Sequence, residues 1–196
     1  MDWNSRYVDA DTPWDKGAAT PVLGELIQCK PEYFRAGGRV LVTGCGRGHD
    51  VAPLIDQGMK VTGMDISQAA LNEAEILHGS SDDLNWLQAD LFQAQDGLEN
   101  VYDVVWEHTC YCAIQPSQRE DYVDAMSHFI RPNGYLAGVF FIETGKPLEE
   151  GPPFKTSKQE VYENFGRKFK LVWEGKPESS YPGREDREWL MVWKKV

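Results

Sequence analysis

Arg39-Val-Leu-Val-Thr-Gly-Cys-Gly-Arg-Gly-His-Asp50 decides the architecture of this chain. Its first half is a short β-rich apolar run that reads as a buried strand, and Gly44, Gly46 and Gly48 then let the backbone turn tightly and approach a ligand closely. Asp50 stands where a helix N-cap is wanted, Pro53 is tolerable in a first helical turn, and Gly58 is a stop, so a helix is expected to about Gln57. Strand, glycine turn and helix follow in that order.

The same rhythm repeats downstream. Lys60 to Met64 reads as a strand ending at Asp65, and Ser67 caps a helix through about His78. Further strands are expected at Leu84 to Gln88, Tyr102 to Trp106 and Tyr135 to Ile142, the last after an Asn133-Gly134 turn. Between the last two, Ser117-Gln-Arg-Glu120 has the pattern of a capping box, followed by Tyr122, Met126, Phe129 and Ile130 on one helical face. Ser157-Lys-Gln-Glu160 marks another helix start. The strand-like stretches Phe169 to Glu174 and Glu188 to Trp193 are expected to form an antiparallel edge pair. Alternating elements of this kind build an open α/β sheet with helices on both faces, and ligands bind beyond the carboxyl ends of its strands.

Composition narrows the ligand. The 196 residues carry a net charge of -11, which opposes binding to nucleic acid or anionic lipid and favours a small-molecule partner. The length suits a single domain over residues 1–196, with residues 1–30 as an amino-terminal lid. Lacking an apolar run long enough to span a bilayer and a recognisable leader, the chain is expected in the cytoplasm, as a monomer. Cys29, Cys45, Cys110 and Cys112 form neither a disulfide framework nor a zinc spacing, so no metal is expected.

Two acidic residues sit where an adenosine-containing ligand needs them. Asp65 ends the second strand about 20 residues after the glycines, where a carboxylate accepts ribose hydroxyls, the alternative being a helix cap. Asp90, in Gln88-Ala-Asp90-Leu91, follows the third strand, from which it or its neighbouring backbone addresses an adenine amino group, the alternative being a plain loop acid. Gly48 comes one residue early for the GxGxxG spacing that cradles a pyrophosphate.

Several ordered motifs across nearly the whole chain resemble the thiopurine methyltransferase superfamily, and especially its halide and thiol methyltransferase branch. They are Thr12-Pro-Trp14-Asp15-Lys-Gly17 with Pro21, Val42 to Asp50, Met64-Asp-Ile-Ser67, Glu107 to Pro116, and Gly151-Pro-Pro-Phe154. The resemblance implies a Rossmann-like class I methyltransferase fold with a mostly parallel seven-stranded sheet. It implies S-adenosylmethionine as cofactor and S-adenosylhomocysteine as product. Cofactor binding then falls on Trp14, Gly44, Cys45, Gly46, Asp65, Ile66, Asp90, Leu91 and Glu107. The acceptor is expected to be a small soft nucleophile, foremost the sulfur of a small thiol, with halides, thiopurines and selenium or tellurium species as alternatives.

A thiol must ionise before it attacks a methyl group, which a nearby base or a positive charge assists. His108 is the expected base, with Glu107 and Tyr111 beside it, the alternative being a strand-end histidine hydrogen-bonded to backbone or to Glu107. Trp3, Tyr7, Cys110, Phe141 and Phe154 are expected around the acceptor, with Phe140 as a further wall. His49, His78 and His128 are assigned no chemistry. Where the branch tends to have an acid, an aromatic pair and Cys-Ala, this chain reads Glu107-His108-Thr109-Cys110-Tyr111-Cys112-Ala113, so its departures from the branch fall mainly on the acceptor pocket. A nucleotide-dependent oxidoreductase and a catalytically silent cofactor-binding module are the alternatives from other classes.

Overall fold

The computed structural model describes residues 1–93, 96–147 and 150–196. Its elements are α1 (Trp3–Val8), α2 (Pro21–Cys29), β1 (Arg39–Thr43), α3 (Val51–Asp56), β2 (Lys60–Asp65), α4 (Gln68–His78), β3 (Leu84–Gln88), β4 (Tyr102–His108), α5 (Arg119–Phe129), β5 (Ile130–Phe141), α6 (Lys158–Phe165), β6 (Phe169–Gly175) and β7 (Glu188–Lys195). Seven strands make one sheet in the order β3-β2-β1-β4-β5-β7-β6. The first five pair in parallel, whereas β7 pairs antiparallel with both β5 and β6. The expected α/β architecture with an antiparallel carboxyl-terminal edge is the one observed.

Alternation along the strands explains the two cores. Side chains of a strand point to opposite faces in turn. Val40, Val42, Val104 and Trp106 therefore pack on one face with Val22, Leu23 and Leu26 of α2 and Leu54 of α3. Leu41, Val105, Leu136 and Phe140 pack on the other with Tyr122, Met126 and Phe129 of α5 and Phe165 of α6. The sheet is buried on both sides, as a βα sheet requires. No helix among the described residues is long and apolar enough to cross a membrane.

Three local expectations are corrected. α5 starts at Arg119 after a 3-10 turn over Pro116–Gln118, and no side chain caps it, so the Ser117 capping box does not form. β5 begins at Ile130 instead of Tyr135, because the chain pairs first at Tyr102 and again from Val104 after a register shift. Asn133, at φ 64, sits inside that irregularity, so Asn133-Gly134 bends a strand rather than opening one. Asp50 precedes α3 without capping it; its carboxylate is committed elsewhere.

The chain runs outward from β1 to β3 and returns to β4 on the other side of β1. Strand order thus reverses beside β1, and the crevice beyond the strand ends at such a point is where these sheets take ligands. The glycine turn lies at that position.

Candidate active site

A cavity of about 810 Å³ opens at the carboxyl ends of β1, β2 and β4. Gly44 and Gly46 form one wall at φ 57 and φ 54, a region that side chains on Cβ disfavour. Close approach adds to the requirement. A Cβ on Gly44 would lie 3.0 Å from Cys110 Sγ, and one on Gly46 would lie 2.5 Å from the Tyr7 hydroxyl.

Asp65 closes the next side. One carboxylate oxygen accepts the Gly46 N–H at 2.8 Å and the other accepts the Ser67 N–H at 2.9 Å. Ser67, not Asp65, caps α4 through the Ala70 N–H, which removes the helix-cap alternative. Burial pushes the Asp65 carboxyl up from its ordinary range despite these donors. Next to it Ile66 is 48% exposed, an apolar face turned out of the core onto the cavity wall. Asp90 and Leu91 line the same wall, and the Asp90 carboxylate accepts the Phe92 N–H.

The amino-terminal segment roofs this end. α1 is fastened to α4 by Asn4, whose side-chain oxygen accepts from the Ala69 N–H and the Ser67 hydroxyl. Trp14 meets Trp3 edge-on at 5.3 Å and Tyr7 at 5.9 Å, and its indole N–H donates to the Tyr7 hydroxyl. Asp15 accepts from Arg47 of the glycine turn at 2.6 Å and pairs with His49 at 3.0 Å. His49, given no role from sequence, therefore helps hold the roof.

At the other end β4 delivers its last residues. Trp106 and His108 lie on the same face of that strand, and both reach Asp50, at 2.9 Å from the indole N–H and 2.8 Å from His108 Nδ1. The second Asp50 oxygen accepts the Thr20 N–H. Burial would raise this carboxyl, but the His108 imidazole, the Trp106 indole and the Thr20 amide outweigh it and hold Asp50 below its ordinary value. The His108 ring stacks on Tyr181 with centroids 5.9 Å apart, and Arg184 Nη1 stands 3.4 Å from His108 Nε2. Arg184 lies over Phe141 and pairs with Glu188 at 3.3 Å. Cys110, Cys112, Lys146 and Phe154 complete this end. Burial pushes both thiols up, Cys112 to about 12, so neither supplies a thiolate near neutral pH.

Of the residues expected from sequence, Trp3, Tyr7, Trp14, Gly44, Cys45, Gly46, Asp65, Ile66, Asp90, Leu91, His108, Cys110, Phe141 and Phe154 line this one cavity. Glu107 and Tyr111, expected beside His108, are not among the residues lining it. Glu107 alternates to the opposite face of β4, where its carboxylate accepts the Tyr111 N–H and the Tyr122 hydroxyl and is 1% exposed. The Tyr111 ring packs among Tyr122, Phe140 and Phe165, with its hydroxyl accepting from Asn164. Phe140 alternates into the core in the same way, leaving Phe141 on the cavity side.

Sequence reading missed Asp50, Tyr181 and Arg184. Asp50 resembled a helix cap, and Tyr181 and Arg184 come from the loop between β6 and β7, held over the site by Glu25, which accepts the Glu178 and Ser179 N–H groups. No local signal marks that long-range contact. Among the described residues no group of three or more His, Cys, Asp or Glu is arranged to hold a metal ion.

Comparison with known proteins adds a family. The family model described as thiopurine S-methyltransferase matches residues 1–190. Thiocyanate methyltransferase 1 of Arabidopsis thaliana is 30% identical over 203 residues, covering 99% of this chain and 84% of that protein. Thiopurine S-methyltransferase of Bos taurus is 27% identical over 185 residues, covering 84% and 74%. In fold, the chain is similar to the N-methyltransferase NodS from Bradyrhizobium japonicum WM9 in complex with S-adenosylhomocysteine, with a TM-score of 0.75 at 14% identity, covering 97% of this chain and 95% of that one.

Proposed function

The chain belongs to the thiopurine S-methyltransferase family of S-adenosylmethionine-dependent methyltransferases, and from that premise we propose that it methylates the sulfur of a small thiol. The observation that carries the reading is the joining of two ends in one cavity. The glycine turn with Asp65 and the aromatic roof lies at one end, and His108 with Phe141 and Phe154 lies at the other. A volume of about 810 Å³ falls within the range of ligand pockets.

The residues present fit the cofactor. Asp65 is a buried carboxylate on the cavity wall that accepts from the Gly46 and Ser67 backbone amides, a suitable acceptor for ribose hydroxyls. Ile66 and Leu91 offer apolar surface for a purine, with Asp90 beside them for its amino group. The rings of Trp3, Tyr7 and Trp14 suit a cationic sulfonium, since an aromatic face attracts positive charge. When bound, S-adenosylmethionine supplies a methyl group on a cationic sulfur. Everything else is alignment, exclusion of water and removal of one proton.

His108 takes that proton. An acceptor thiol against Phe141 and Phe154 passes its S–H proton to the imidazole and becomes a thiolate. With S-adenosylmethionine bound, that thiolate would be the nucleophile toward its methyl group. The proton then leaves His108 for water. Phe141 and Phe154 give the polarizable sulfur an apolar setting in which it is a better nucleophile than in bulk water.

A second reading has its own support. Lys146 and Arg184, the latter shared with Glu188, line the cavity of a chain with net charge -11, and positive charge there favours an anionic soft nucleophile such as thiocyanate or a halide. The test is a side-by-side methyl-acceptor screen with S-adenosylmethionine, read by mass spectrometry, across thiols, thiocyanate, iodide and thiopurines. Thiol methylation dominating the panel supports the first reading. Turnover confined to the anions moves the assignment to the second, and binding without turnover on any acceptor would leave a silent module.

A further inference from the structure

We infer that Asp50 is the positioning residue for His108, setting the tautomer that leaves Nε2 free to take the acceptor's proton. This rests on the reading of His108 as the base.

An ionised carboxylate only accepts hydrogen bonds, so the ring nitrogen 2.8 Å from Asp50 Oδ2 carries the hydrogen, and that nitrogen is Nδ1. A guanidinium only donates. Arg184 Nη1, 3.4 Å from Nε2, therefore faces a lone pair. Two neighbours from opposite sides of the ring, one at the start of α3 and one in the loop between β6 and β7, select the same tautomer.

Asp50 is itself held still. Thr20 donates from the entry to α2, Trp106 donates from β4, and the carboxylate is buried, with a side-chain exposure of 9%. Three elements thus fix one carboxylate, and it fixes one imidazole. The groups facing His108 are Asp50, Arg184 with Glu188 behind it, and the Tyr181 hydroxyl-bearing ring, while Glu107 lies behind it on the opposite face of β4. Of these only Asp50 compensates a positive imidazole by direct contact.

The proton step balances within this set. The acceptor's S–H proton moves to Nε2, the sulfur keeps the electron pair, and the imidazolium is bracketed by the Asp50 carboxylate on its Nδ1 side. Arg184 yields its place at Nε2. Glu188 Oε2, buried and without a hydrogen-bond partner among the described residues, gives the guanidinium a second carboxylate oxygen to move to. A carboxylate oriented on a histidine base in this manner controls tautomer as well as charge.

The experiment compares the wild type with Asp50→Asn on two thiols, an alkyl thiol protonated at neutral pH and an aryl thiol already ionised there. With the alkyl thiol, kcat/KM near pH 7 falls by at least about tenfold more than with the aryl thiol, and the excess shrinks toward pH 9.5 as the alkyl thiol ionises unaided. Nitrogen NMR of the wild-type protein shows His108 protonated at Nδ1. Equal losses with both thiols at every pH, or a wild-type His108 protonated at Nε2, would overturn the inference. The second readout needs no variant, so it holds even where Asp50→Asn does not fold. His108→Asn separates the two levels. A thiol pH profile unchanged by it sinks the base reading itself, whereas a profile lost in His108→Asn but kept in Asp50→Asn sinks only the role of Asp50.

Discussion

Arg47, in the turn that follows β1, donates to Asp15 of the amino-terminal segment at 2.6 Å, and the same guanidinium pairs with Glu73 of α4. One side chain therefore ties the roof of the cavity to its glycine wall and to the helix beneath. Burial works against ionised Asp15, but Arg47, the Gly17 N–H and His49 outweigh it and lower its carboxyl below the ordinary value. A depressed acid contributes stability above its unfolded value and loses it as pH falls through the lower folded one. Asp15→Ala should thus destabilise the roof by about 1.5 kcal/mol near neutral pH, with wild type and variant converging as pH falls below the ordinary aspartate value and through the lower folded one. Tryptophan emission, to which Trp3 and Trp14 contribute among the seven tryptophans, follows the release. A constant gap between the two proteins down to pH 2 would show that the Asp15 charge is not the latch.

Asp65→Asn keeps the shape of the side chain and removes its charge. The Gly46 and Ser67 amides retain one acceptor between them, so the turn loosens, and the ribose hydroxyls lose a charged partner. S-adenosylmethionine affinity should drop by about 2 kcal/mol, on the order of thirtyfold, with S-adenosylhomocysteine affected equally because both carry the ribose. Titration calorimetry measures both. A variant that melts lower yet binds both ligands as before would confine Asp65 to a structural role.

Glu107 supports the floor of the site from behind. Its carboxylate, pushed up by burial, depends on the Tyr122 hydroxyl and the Tyr111 amide for its hydrogen bonds. Tyr122→Phe strands one carboxylate oxygen in an apolar core, and the expected cost is about 1–3 kcal/mol in urea unfolding. KM for the cofactor should stay near the wild-type value in the folded variant. An affinity loss exceeding the stability loss would return Glu107 to the cofactor's reach.

Much of this was legible from local chemistry. The glycine turn, Asp65 at the end of β2 and the Ser67 cap each follow from short-range rules, and they lie where those rules put them. What escaped is of two kinds. Glu107 and His108 are neighbours in sequence and belong to opposite faces of β4, a distinction that depends on which face the strand's register turns to the cavity. Arg184 and Tyr181 reach the site through a loop anchored to Glu25 and to the Ala18 carbonyl, contacts spanning most of the chain. Asp50 looked like a cap because the position before a helix is where carboxylates usually serve; its commitment to Trp106 and His108 exists only once β1 and β4 are paired.

Gly44 is the place where backbone conformation and packing make the same demand, and the two are separable. At φ 57 an alanine is strained by roughly 1–2 kcal/mol whatever surrounds it. Its Cβ would also sit 3.0 Å from Cys110 Sγ and 3.2 Å from Cys110 Cβ. Gly44→Ala should therefore destabilise the fold and weaken cofactor binding together, because the same turn forms the cavity wall. Cys110→Ala removes Sγ but leaves Cβ and the dihedral strain. Combining the two should recover only part of the loss, a coupling of about 0.5–1 kcal/mol in a double-mutant cycle of urea unfolding. Strict additivity would mean that Cys110 already has room to move aside, and that Gly44 is required for its dihedral angle alone.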